Sequence, residues 1–150
     1  MNEVRFQERV LPSFGFFLML LLLPLAISLV FLPINAAIGF LIAVSAYFVA
    51  ILMALINSPL IALDSSGLHV SKVSIPANLI RGAKVIEPKE VFAERGTRLD
   101  ARAYTRFQIG VSSLIRIEIA DAKDPTPYWL ISTRKAEELA VALNANRAIL

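Results

Sequence analysis

The amino-acid sequence predicts an α+β membrane protein: an N-terminal two-helix transmembrane hairpin, then a small, mainly antiparallel β domain closed by a C-terminal helix. Three observations predict it. No Asp, Glu, Lys or Arg occurs from Val10 to Leu63, a run of 54 residues. The 15 Lys and Arg and the 12 Asp and Glu all lie outside that run. Behind it, short apolar stretches alternate with turn residues and end in one amphipathic helix.

A span needs roughly 20 apolar residues to cross ~30 Å of hydrocarbon, and the uncharged run holds two spans and a turn. Leu32, Pro33, Ile34 and Asn35 supply the turn. The first span is expected over residues 13–31, with Pro24 kinking it, and the second over residues 36–56. Asn57, Ser58 and Pro59 end the second, because a residue preceding proline is pushed out of the α region. The Leu-rich stretch over residues 16–25 resembles the apolar core of a signal peptide. No small-x-small cleavage site follows it, so it is read as a span.

Orientation follows from the basic residues. The turn is uncharged, Arg5 and Arg9 precede the first span, and Lys72, Arg81 and Lys84 follow the second. Two spans return the chain to its starting side, so both termini are expected in the cytoplasm of a multi-pass cell-membrane protein. Gly39, Ala43, Ala46, Ala50 and Ala54 form a small-residue stripe on the second span. Such a stripe lets helix backbones approach closely, either within the hairpin or between two copies in a homodimer. No ionisable residue lies within the spans, which argues against an ion or proton pathway.

The expected organisation is a cytoplasmic N-terminal segment over residues 1–12, the hairpin over 13–57 and a cytoplasmic domain over 58–150. In that domain Leu60 to Leu63 and Gly67 to Val70 are expected as strands flanking Asp64, Ser65 and Ser66, a hairpin with a Gly-containing turn. Val73, Ser74 and Ile75 make a short strand that Pro76 ends. A further strand is expected within residues 79–87. A short helix over residues 88–96 has Pro88 at its start and Gly96 past its end. Residues 110–120 alternate as a half-buried strand, a turn covers 121–127, and a strand follows over 128–132. Residues 133–146 read as a helix with Ala136, Leu139, Ala140 and Leu143 on its apolar face and Ser132, Thr133 and Arg134 at its cap.

Composition narrows the chemistry. There is no cysteine, which excludes disulfides, thiol catalysis and Cys-based zinc sites. His69 is the only histidine, so a His-based metal site is not expected, nor is a cofactor. The net charge of +3 suits a surface near anionic lipid. It is too small to point to nucleic acid, and no interleaving of basic and aromatic residues supports that partner.

Three stretches carry a family resemblance. Asp124, Pro125, Thr126, Pro127, Tyr128 and Trp129, then Ser132, Thr133 and Arg134, followed by Glu137, Glu138, Leu139, Ala140, Ala142 and Leu143, resemble the C-terminal signature of actinobacterial two-helix membrane proteins of unknown function. Glu8 and Arg9 resemble the N-terminal motif of that family. Gly96, Asp100, Arg102, Ala103, Tyr104 and Arg106 resemble its middle segment. Ala136 departs from it, where proline would open the helix. The order of hairpin, sheet and helix is also similar to bacterial pleckstrin-homology-like domains behind paired membrane helices. That similarity implies a small barrel of bent sheets capped by a helix, and a scaffold or binding module more than an enzyme.

Two functions are expected from these readings. The first is a membrane-anchored interaction or scaffold module whose partner is a protein, a peptide strand or an anionic lipid headgroup of the bilayer. Its basic candidates, Arg95, Arg98, Arg102 and Arg106, are spaced to share a helical face, which Gly96 interrupts. The alternative is a small-molecule-binding protein or enzyme using Asp121, Asp124, Tyr128 and Arg134, with Trp129 beside them. Against it, Asp and Pro are ordinary turn residues, and a mid-strand Trp or Tyr is ordinarily packing. A nucleophilic Ser132 would need a base, and only His69 is offered.

Overall fold

The computed structural model describes residues 5–121 and 123–147 and divides the chain into two units. One is residues 11–58; the other joins residues 1–10 to residues 59–150. The first four and last three residues of the expected end segments lie outside the described residues.

The first unit consists of α1 (Phe14–Leu20), α2 (Leu22–Phe31) and α3 (Ala36–Ile56). Ser13 caps α1 through its hydroxyl, which accepts from the Phe16 N–H, and Asn35 caps α3 by accepting from the Ile38 N–H at 3.1 Å. The expected single first helix is broken at Leu21. Pro24 has no N–H, and its ring crowds the carbonyl four residues earlier, at Leu20, where α1 stops. Together α1 and α2 make an 18-residue apolar stretch, and α3 has 21 residues. At 1.5 Å per residue these reach about 27 and 32 Å, enough to cross a bilayer.

Helix α3 packs against α2 through its small residues. Gly39 and Ala43 are buried, while Ala46, Ala50 and Ala54 are half-buried. A Cβ on Gly39 would lie 2.4 Å from the Cβ of Phe31, so only glycine permits this approach. The larger side chains point outward: Phe14, Leu25, Ile38 and Phe40 are all more than half exposed.

The second unit holds two four-stranded sheets. Sheet A runs β1 (Phe6–Arg9), β2 (Leu60–Leu63), β3 (Gly67–Val70), β4 (Val73–Pro76), antiparallel throughout. A 3-10 turn at Ala77–Leu79 leads into sheet B, built from β5 (Ile80–Ile86), β6 (Tyr104–Arg106), β7 (Leu114–Ile119) and β8 (Tyr128–Ser132). Its spatial order is β5, β7, β8, β6; only the β6–β8 pair is parallel. Between β5 and β6 lies the short α4 (Val91–Arg95), and α5 (Ala136–Arg147) ends the described chain. The expected barrel does not close. The described strands stay in two sheets, and the unit is a mixed α+β layer structure.

The N-terminal segment contributes a strand to the sheet unit: Phe6–Arg9 pairs with β2 from Phe6↔Leu63 to Arg9↔Leu60. Phe6 and Val10 are buried in the same core as the rest of the unit. The chain therefore leaves the sheet after Val10 and rejoins it at Pro59, where the Val10 N–H donates to the Pro59 carbonyl at 2.9 Å.

Pleating decides the core. Ile61, Leu63, Leu68 and Val70 of sheet A face Ile115, Ile117, Trp129 and Ile131 of sheet B, with Leu139, Ala140 and Leu143 of α5 sealing one side. A second cluster of Ile86, Leu114, Tyr128 and Leu130 lies on the other face of sheet B, under Val91, Leu99 and Ala103. Strand β8 is buried on both faces, and all five of its residues are buried. Asn144 of α5 accepts from the Ala83 N–H and donates to the Ala83 carbonyl, satisfying part of the open edge of β5.

Candidate functional site

The excursion over residues 87–103 leaves one polar cleft of about 210 Å³, lined by Lys84 and Ile86 of β5, Arg116 and Glu118 of β7, and Glu90, Glu94 and Arg98 around α4. Lys84 and Arg116 are register partners, so the pleat places both on the outer face of sheet B. Glu90 at the start of α4 and Glu94 within it are four residues apart on one side of the helix, and Arg98, beyond the helix end at Gly96, reaches both carboxylates. Glu94 is 6% exposed. Its Oε2 accepts from Arg116 Nη1 at 3.4 Å, and its Oε1 lies 3.7 Å from Arg98 Nη1, which also donates to Glu90 Oε1 at 3.2 Å.

The Arg116 guanidinium sits 3.8 Å above the Tyr128 ring, a cation–π contact. The Tyr128 hydroxyl accepts from the Asp100 N–H at 2.9 Å and donates toward the Arg98 carbonyl at 3.4 Å. The cleft thus balances three cations against three carboxylates. Its lining holds no serine, threonine, cysteine or histidine, and its carboxylates Glu90 and Glu94 are engaged by arginines, an arrangement suited to polar recognition. Among the described residues no group of three or more His, Cys, Asp or Glu could hold a metal ion.

The four candidate arginines do not form one face. Arg95 turns inward: its Nη2 donates to the Val111 carbonyl at 2.6 Å and to Ser132 Oγ at 3.2 Å, and its guanidinium lies 5.0 Å from the Phe107 ring centre. Burial pushes the Arg95 pKa down. Arg98 joins the cleft. Arg102 grips Asp100 through two bonds, Nε to Oδ1 at 3.2 Å and Nη2 to Oδ2 at 3.0 Å. That grip holds the Asp100 carboxyl below the usual range and raises the Arg102 pKa. Arg106 belongs to β6, opposite Ile131. Helix α4 ends at Gly96, so the helical spacing stops there.

The alternative small-molecule set is also dispersed, and the structure does not favour it. Asp121 accepts from the Lys123 N–H at 2.8 Å, and Asp124 from the Thr126 N–H at 2.9 Å, both as turn-forming side chains. Hydrogen bonds from Thr126, its side chain foremost, hold the Asp124 pKa down. Tyr128 and Trp129 are core residues, 3% and 5% exposed. Trp129 stacks obliquely on Tyr104 at 4.6 Å between centroids. None of Asp121, Asp124, Tyr128 and Arg134 lines the cleft.

Nor does a serine relay form. Ser132 is fully buried beside Arg95. His69 instead meets the β2–β3 turn, with Nε2 3.3 Å from Asp64 Oδ2 and 3.2 Å from Ser66 Oγ. Both partners converge on one ring nitrogen, whereas a relay needs them on opposite nitrogens.

Sequence reasoning missed the reach of Glu8. Its Oε2 accepts from the Thr133 hydroxyl, and its Oε1 from the Arg134 N–H at 3.0 Å. Thr133 is fully buried, and its Oγ1 also accepts from the Lys135 N–H at 3.1 Å. The expected cap therefore works as a turn before α5, which starts at Ala136. The signal lay in the two motifs themselves, Glu8–Arg9 and Ser132–Arg134, which meet across the whole chain. The middle segment joins them through Tyr104 on Trp129 and Asp100 on Tyr128. All three stretches that carry the resemblance converge on β8 or the residues just after it.

Comparison with curated proteins and with solved structures finds no match. Residues 5–143 match a family described as protein of unknown function, DUF3093, and the chain belongs to that family.

Proposed function

We propose that this protein is a membrane-anchored interaction module: the two apolar helices cross the cell membrane, and the sheet unit recruits a partner at the cytoplasmic surface. The carrying observation is the pairing of β1, which ends just before the 54-residue uncharged run, with β2, the last four residues of that run, so that the ladder closes around both apolar helices. Both ends of the hairpin must lie on one side of the bilayer for that ladder to exist. The outward-facing apolar side chains of α1, α2 and α3 support lipid contact. The basic residues on either side of the hairpin, Arg5 and Arg9 before it and Lys72 after it, support a cytoplasmic face. The resemblance to actinobacterial two-helix membrane proteins and the pleckstrin-homology-like order of sheet and helix support recruitment over catalysis. The charge-balanced cleft beside Glu94 is the place on the sheet unit for a polar partner segment.

The test uses the full chain. It stays in the membrane pellet through an alkaline carbonate wash, and after gentle solubilisation it carries a stoichiometric protein partner or a lipid preference that Arg116→Ala weakens. Release by carbonate, or a monodisperse protein with neither partner nor lipid preference, overturns the proposal.

A further inference from the structure

We infer that one end of sheet A is a second membrane contact, with the β3–β4 turn at Ser71 and Lys72 resting on anionic lipid headgroups. This rests on the membrane reading of the hairpin. Three residues, 11–13, join Val10 to α1, and three, 57–59, join α3 to β2. Fully extended, each link reaches only about 10 Å. The end of sheet A at Arg9 and Leu60 is therefore held close to the bilayer by covalent connection alone.

The β3–β4 turn lies at that same end. The Ser71 N–H donates to the Leu60 carbonyl at 2.8 Å, and Ile61 pairs with Val70, which pairs with Val73. The opposite end carries the Asp64 turn, where Leu63 pairs with Leu68. The two ends differ in chemistry. The membrane-linked end exposes Leu60 at 41%, Val73 at 40%, and the side chain of Lys72. The far end carries the Asp64 carboxylate, which accepts from Ser66 and Gly67 and lies 3.3 Å from His69, together with exposed Arg5, whose N–H donates to the Leu63 carbonyl. Exposed aliphatic side chains next to a lysine match the interface of an anionic leaflet, where the chains enter the headgroup layer and the ammonium meets phosphate. A carboxylate would be repelled there. Lipid is the occupant because chain connectivity already brings it within reach, and because the charge at this end complements it.

The protein has no cysteine, so single labels can be placed cleanly. The full chain carrying Val73→Cys or Ser66→Cys is labelled with an environment-sensitive fluorophore. It is reconstituted in vesicles of phosphatidylcholine alone or with phosphatidylglycerol, with spin-labelled headgroups as quencher. Headgroup quenching is expected at position 73, and far weaker at position 66, in the anionic vesicles. Adding Lys72→Glu, or removing phosphatidylglycerol, lowers the docked-to-undocked ratio about five-fold or more, the factor expected for one cation at an anionic surface. Equal quenching at both positions in protein that resists carbonate overturns this inference and leaves the anchor standing. Protection of position 73 that is independent of lipid charge and persists in detergent assigns the surface to a second copy or a protein, and also overturns it. Release of the chain by carbonate defeats the inference and the membrane reading together.

Discussion

Removing the Glu8 carboxylate tests how the chain's first strand is tied to its last helix. Glu8→Ala deletes two charge-assisted hydrogen bonds, from the Thr133 hydroxyl and from the Arg134 N–H. The Arg134 residue is exposed and its amide regains a bond to water. Thr133 is fully buried, and its hydroxyl proton is left without that acceptor. A stranded buried donor costs about 1–3 kcal/mol and a replaced exposed bond about 1, so the variant should lose about 2–4 kcal/mol. Thr133→Val removes the donor and the Lys135 acceptor together and should cost about 1–2 kcal/mol. The double variant should cost less than the sum, with a coupling of about 1–2 kcal/mol. Trp129 is the only tryptophan and lies in the main core, so its fluorescence during urea unfolding of the full chain in micelles reads the sheet unit directly. A loss below about 0.5 kcal/mol for Glu8→Ala, or additive losses, would mean that Glu8 does not tie β1 to the Thr133 turn.

Other outcomes follow from the same structure. Gly39→Val forces α3 away from Phe31 and should cost the hairpin about 1–3 kcal/mol in detergent unfolding, whereas Phe40→Val, at an outward position, should cost little. Asp64 is held down to about 2 from 3.8, first by the Ser66 hydroxyl. Its folded pKa lies below the unfolded one, so its contribution is complete above about pH 4 and is lost as pH falls toward 2. Carboxyl-carbon NMR should give a midpoint near 2 that rises in Ser66→Ala, and a wild-type midpoint at 3.8 would contradict this. Glu94→Gln leaves Arg98 and Arg116 without their buried counter-charge and should cost about 1–3 kcal/mol by urea titration, a value scaled down because both arginines are partly exposed.

Much of the architecture was legible where a single physical signal dominates. Absence of charge marks the hairpin, and Asn35 and Asn57 sit at the ends of α3 as expected. Alternation marks β7, and a solid apolar run marks β8, whose bounds match the structure. The helix face of Ala136, Leu139, Ala140 and Leu143 is buried as its period implies. Strand β1 was not legible, because Phe6, Gln7, Glu8 and Arg9 have little apolar content and become a strand only through β2, more than 50 residues away. Strand β6 has three residues and a parallel partner, too little for any period to show. Long-range polar ties leave even less trace. The spacing of Arg95, Arg98, Arg102 and Arg106 suggested a shared face, yet Gly96 ends the helix and each arginine goes elsewhere. Arg116 and Glu94, which form the cleft, look like ordinary surface charges until β7 and α4 are brought together.

The most direct measurement of the central claim is labelling of single cysteines in intact cells with a membrane-impermeant maleimide. Gln7→Cys reports β1, Ile34→Cys the turn between the two spans, and Ser66→Cys the β2–β3 turn. Position 34 should be labelled from outside, and positions 7 and 66 only after permeabilisation. Labelling of position 7 or 66 in intact cells would contradict the cytoplasmic assignment, and opposite behaviour of those two positions would be incompatible with the pairing of β1 with β2.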